Sequence, residues 1–184
     1  MKALLLAIAL LGPLAGADRE PGRDLDEVAR VASVMVDGDV CRRIVTPRAR
    51  EYMFKNDPHD QWVAGDNYEV NDEAFIAVKK ALIRLSRLAP FPYDVNLWMP
   101  VSGHPDKVRI VIRNSNELSQ FWPWGALYQD MIPSMKQVFE SGRRLTVADK
   151  PGFVSVLAPV YDSLGDIVAL VEAVTQTPVD PHGN

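Results

Sequence analysis

Apolar residues recur at helical spacing near the start of the chain, at Leu25, Val28, Ala32, Met35 and Val36, behind Asp24 and Glu27, which have the spacing of a capping box. The pattern predicts a long first helix from Asp24 to about Ile44. Residues 47–69 mix Asn, Asp, Pro, Gly, His and aromatics without a period, so they predict an irregular connection with a helical turn near Ala49 to Met53. Helical spacing returns at Phe75, Val78, Leu82, Leu85 and Leu88, with Asn71 or Asp72 as cap and Pro90 and Pro92 as the stop. From Asp94 the period shortens to two. Val95, Leu97 and Met99 alternate with Asn96 and Trp98, a polar turn spans Ser102 to Asp106, and the return strand runs from Lys107 to Asn114. An aromatic, Pro- and Gly-broken stretch from Glu117 to Tyr128 reads as a packed loop. Pro133 and Gly142 bracket a short helix. Leu145 to Ala148, Phe153 to Tyr161 and Ile167 to Thr175 predict three further strands, the last two joined by the turn Asp162-Ser163-Leu164-Gly165-Asp166.

Two helices followed by about five strands, with one short helix among them, predict an α+β fold in which the helices cover one face of an antiparallel sheet. The expected organisation is a signal peptide at 1–17, a spacer at 18–23, one domain at 24–175 and a flexible tail at 176–184. The leader rests on Lys2, the apolar run Ala3 to Leu11 and the small residues Ala15-Gly16-Ala17. It predicts a periplasmic or secreted protein. No later stretch is apolar for long enough to span a bilayer, so no membrane insertion is expected after cleavage.

Composition changes the picture little: 184 residues, 47% hydrophobic and 24% charged, are those of an ordinary globular chain. A net charge of −4 with interspersed signs excludes a basic footprint for nucleic acid. Cys41 is the single cysteine, so no intramolecular disulfide can form, and its place in an apolar segment predicts a buried thiol. No HExxH, GxSxG, Gly-rich phosphate loop or paired-cysteine metal site occurs, and the cluster Asp57, His59 and Asp60 reads as a surface loop rather than an acid-base centre. The expectation is therefore a chain that is not an enzyme and needs no cofactor or metal.

The stretch "GFVSVLAPVYDSLGDIVALVEA" from Gly152 to Ala173, with "DVNLWMP" and "VRIVIRN" before it and "WPWGALYQDMIPSMKQVFESG" between, resembles the Cache family of extracytoplasmic PAS-like sensor domains. The resemblance spans about Asp24 to Thr175 in order. It implies a curved sheet with the long N-terminal helix and a second helix on one face and a ligand, under a covering segment, on the other. A ligand-binding side built from Trp98, Arg109, Arg113, Trp122, Trp124, Tyr128 and Asp162 follows. In that geometry Val108, Ile110 and Ile112 lie under the helix while Arg109 and Arg113 either face a small-molecule ligand, a carboxylate or another anion suiting their planar forks, or are solvated or paired with Asp and Glu on a sheet edge. The tryptophans and Tyr128 either wall a site or fill a core, and Asp162 either meets a ligand or serves its own turn. The Arg-x-x-Tyr-Phe pattern of amino-acid-binding members is missing. Output would pass through a separate membrane-bound signalling partner. A structural or assembly protein with a filled pocket, and an enzyme of unfamiliar type, are the alternatives.

Overall fold

Ten elements are formed by the described residues, which in this computed structural model are 21–47, 73–114, 116–122 and 128–177. The expected leader, the turn near Ala49 to Met53, the Asp57, His59 and Asp60 cluster, Asn71, Asp72, Trp124 and residues 178–184 of the tail lie outside them. In chain order the elements are α1 (Pro21–Met35), α2 (Gly38–Ile44), α3 (Glu73–Leu85), β1 (Asp94–Val101), β2 (His104–Ile112), β3 (Gln129–Asp130), α4 (Pro133–Ser141), β4 (Leu145–Val147), β5 (Phe153–Tyr161) and β6 (Ile167–Gln176). The strands form one antiparallel sheet in the order β3-β2-β1-β6-β5-β4, curled into a half-barrel with α1 packed on it, an α+β fold. No helix among the described residues is long and apolar enough to cross a membrane.

The expected first helix is two helices. Asp37 takes an extended backbone and its carboxylate accepts from the amides of Asp39 and Val40, so it ends α1 and caps α2. Gly38 opens α2 against the backbone of the β5–β6 turn: an added Cβ would lie 2.3 Å from the carbonyl oxygen of Tyr161. A side chain has no room there, so the break is also the docking point. The thiol of Cys41 is buried, as expected, and burial pushes it up to about 12, which leaves it inert.

The core has two layers. On the helix side Leu25, Ala29 and Ala32 of α1, Val36 just after it, Cys41 and Ile44 of α2 and Val78, Leu82 and Leu85 of α3 pack on Val95, Leu97, Val156, Ala158, Val171 and Ala173 of the sheet. On the opposite face Met135 and Val138 of α4 cover Trp98, Val108, Leu157 and Leu170. Both ends of α4 are as expected, with Pro133 in its first turn and Gly142 as a left-handed cap at φ 65°. A sixth strand, β3, pairs only Lys107 with Asp130 and Val108 with Gln129, and two residues are too few to show a period.

The faces of β2 differ from the expectation. Trp98 pairs with Ile110 but Leu97 pairs with Ile112, so Val111 is an extra residue, a bulge that inverts the alternation. Val108 and Ile110 therefore lie on the α4 side, whereas Val111 and Ile112 lie under the helices. Arg109, opposite Met99, is buried on the helix side and is not on the same face as Arg113. Strict alternation placed the two together; one inserted residue separates them.

Candidate functional site

On the α4 face the centre of the sheet is polar. Asp94 and Asn96 of β1, Glu172 of β6 and Ser155 of β5 are all buried, and Asn96 and Leu157 flank Glu172 directly across the two ladders. Alternation sets this up: Asp94, Asn96 and Trp98 share one face of β1 while Val95, Leu97 and Met99 share the other. A carboxylate on a central strand is expensive to bury unless its oxygens are met.

Residues 116–122 meet them. This strap crosses the polar face on hydrogen bonds from both sides. The Asp94 carboxylate accepts from the backbone and side-chain amides of Asn116 (3.3 and 2.9 Å) and from the Leu118 amide (2.9 Å). Asn96 donates through Nδ2 to the Leu118 carbonyl at 2.7 Å and accepts the Asn114 amide at 3.1 Å. Glu172 accepts from five groups: Ser155 Oγ (2.9 Å) and the Gln120 amide (3.3 Å) on Oε1, and Trp98 Nε1 (2.9 Å), Ser119 Oγ (2.7 Å) and Asn96 Nδ2 (3.4 Å) on Oε2. Ser119 Oγ in turn accepts the amides of Phe121 and Trp122. The Gln120 side chain ties the strap to the far edge, donating to the Val147 carbonyl and accepting the Lys150 amide.

Burial pushes the Glu172 carboxyl above its ordinary value; the bonds from Trp98, Ser119, Ser155 and Asn96 pull it back without cancelling the effect. All five donors are neutral groups, and no cation among the described residues pairs with this carboxyl.

At the rim the Arg113 guanidinium stacks on the Trp122 ring, 3.8 Å from its centroid. Its Nη1 lies 3.7 Å from the Glu117 carboxylate, a long contact between half-exposed groups. The Lys79 ammonium donates to the Arg113 carbonyl, so α3 fixes the backbone at this corner.

The candidate residues thus separate. Trp98, Arg113 and Trp122 come together under and beside the strap, Trp98 as a buried donor and the other two as a stacked pair at the surface. Arg109 lies on the opposite face. Tyr128 is exposed just before β3, and Trp124 is outside the described residues. Asp162 serves its turn: it accepts the amides of Leu164 (3.0 Å) and Asp166 (2.9 Å) and holds Arg42 of α2 at 2.6 and 2.8 Å. Among the described residues no three His, Cys, Asp or Glu side chains converge as a metal requires.

Sequence reasoning passed over Glu172, Asp94, Ser119, Gln120 and Ser155. A signal for the first was present, since Glu172 is the lone charge within the apolar strand Ile167 to Val174. No family model matches the chain, and no curated protein or solved structure matches it either.

Proposed function

We propose that the chain is an extracytoplasmic sensor or binding domain of Cache-like, PAS-like type, which captures a small anionic ligand beside the strap and reports it to a separate membrane-bound partner. What carries the reading is the polar centre of the α4 face: a sheet face buried only for stability would be apolar, yet this one holds Asp94, Asn96, Ser155 and Glu172 beneath an irregular segment. The helices on the other face agree with the arrangement that the resemblance implies. The anion preference rests on Arg113. Its guanidinium is held flat by Trp122, and its one charge partner among the described residues, Glu117 at 3.7 Å, is a contact that a bidentate carboxylate would displace. The reading includes export and no catalytic role.

The test is a thermal-shift screen of small carboxylates. A ligand at a hundred times its Kd adds about 2.7 kcal/mol to the stability of the folded state, and Arg113→Ala should remove that gain. A screen without any hit, or a hit that Arg113→Ala leaves unchanged, overturns the anion-binding reading.

A second reading has its own observation. Every oxygen of Glu172 is already met from within the protein, and Trp98 is buried with its indole N–H bonded, which favours a structural or assembly protein whose face is filled by its own side chains. A flat screen selects it.

A further inference from the structure

A fully buried glutamate shared between a rigid sheet and an irregular strap has consequences that hold whether or not a ligand binds. We propose that residues 116–122 form a proton-sensitive strap, with Glu172 as its latch, that closes on the sheet when the carboxyl takes up a proton and loosens when it releases one.

The donor arrangement supports this. Three of the five groups on Glu172 belong to the sheet, Asn96, Trp98 and Ser155, and two to the strap, Ser119 Oγ and the Gln120 amide. Lifting the strap therefore breaks two bonds to the carboxyl and exposes it to water, while the sheet stays intact. The indole, the side-chain amide and the backbone amide can only donate to it, so a proton on the carboxyl needs a hydroxyl to receive it. The Ser119 hydroxyl already accepts the amides of Phe121 and Trp122 and stays a donor. Ser155 Oγ carries no such load from the described residues; by rotating its hydroxyl it accepts a proton held on Oε1. The strap bond from Ser119 to Oε2 survives that change, so the neutral form remains closed.

The charged groups around the latch leave it to itself. Asp94 of β1 is engaged by Asn116 and Leu118, Glu117 of the strap and Arg113 beyond β2 face each other at the rim, and Lys79 of α3 bonds the Arg113 carbonyl. Lys150 before β5 lies over the Phe153 ring, and Lys136 and Glu140 of α4 pair with each other. With no cation among the described residues to balance it, an ionised Glu172 under the closed strap carries a desolvation cost that its five hydrogen bonds offset only in part. The closed form holds its proton to higher pH than the open, hydrated form. Closure is complete below the ordinary glutamate value and weakens as pH rises through the closed-state value, the direction that linkage requires for a group raised by burial.

Amide hydrogen exchange of the full chain, referred to intrinsic rates at each pH, tests this. Between about pH 5 and about pH 8, protection of Leu118, Gln120, Phe121 and Trp122 should fall by up to about tenfold per pH unit, the limit for one proton, while β6 amides keep theirs. Glu172→Gln should hold strap protection level across the range. Should that variant not fold, the wild-type indole N–H of Trp98, followed by NMR, should titrate at the same midpoint as the strap. Constant strap protection, the same pH dependence in the glutamine variant, or a Trp98 signal that does not move at that midpoint overturns the proposal.

Discussion

Gly38 occupies a position that no other residue can fill without movement. Backbone atoms of Tyr161 and Asp162 lie 2.3 to 2.7 Å from where a Cβ would stand, and backbone cannot rotate aside as a side chain can. Gly38→Ala should therefore destabilise by about 1–3 kcal/mol, the usual cost of overpacking, even though alanine is the better helix former. A urea titration reads this as a lower midpoint with an unchanged slope. A variant as stable as the parent would show that α2 shifts freely on the hairpin. At this scale the sequence was partly legible. Asp37-Gly38-Asp39 carries both a cap and a break, but the apolar period runs on through Val40 and Ile44 and hides it. Glu172 was legible as an oddity in an apolar strand; its five partners come from three distant segments that no local pattern connects.

Among elements, α2 meets the β5–β6 hairpin through the close approach of Gly38, the Ser163 amide donated to Asp39 and Arg42 between Asp162 and Asp166, and of these carboxylates Asp162 is the buried one. Burial pushes Asp162 up, but the Asp166 amide, the Arg42 guanidinium and the Leu164 amide outweigh it and hold the carboxyl below its ordinary value. A depressed carboxyl stabilises the fold above its unfolded-state value, and that stabilisation is lost as pH falls through the folded-state value. Asp162→Asn keeps an oxygen for the turn amides and removes the ion pair with Arg42. The variant should therefore be less stable than the parent near neutrality, and the gap should close below about pH 4, where the parent's carboxyl also loses its charge. Urea midpoints of both proteins across pH check this, and a gap that persists in acid would assign the loss to the turn instead. The hairpin itself could be read because Asp162 and Gly165 punctuate two long alternating runs. The faces of β2 could not, because Val111 is apolar whether it is a regular strand residue or an inserted one. Only pairing with Leu97 and Trp98 reveals the bulge.

Across the whole molecule the two layers on the sheet are unequal, and the inequality bears on any ligand that must enter. Three helices bury their stripes on one face, whereas α4 brings only Met135 and Val138 as fully buried apolar groups to the other, beside a strap held by polar bonds. β6 is the common support: it pairs with β1 and β5, and Val168 to Thr175 are buried throughout. Its amides should exchange only on global unfolding, and those of α4 through a partial opening of lower free energy. Two truncations separate the cases. Leu82→Ala on the helix side should cost about 2–5 kcal/mol of global stability and lower β6 protection, but leave α4 protection unchanged, because Leu82 stays packed when α4 opens. Met135→Ala removes a contact that is lost in the partial opening and in unfolding alike, so it should lower protection of α4 and β6 together. Native-state hydrogen exchange on both variants distinguishes this from a single cooperative unit, in which either truncation lowers all slow amides equally. A layer that opens independently would leave the face carrying Trp98 and Glu172 reachable while the helix side holds the fold together.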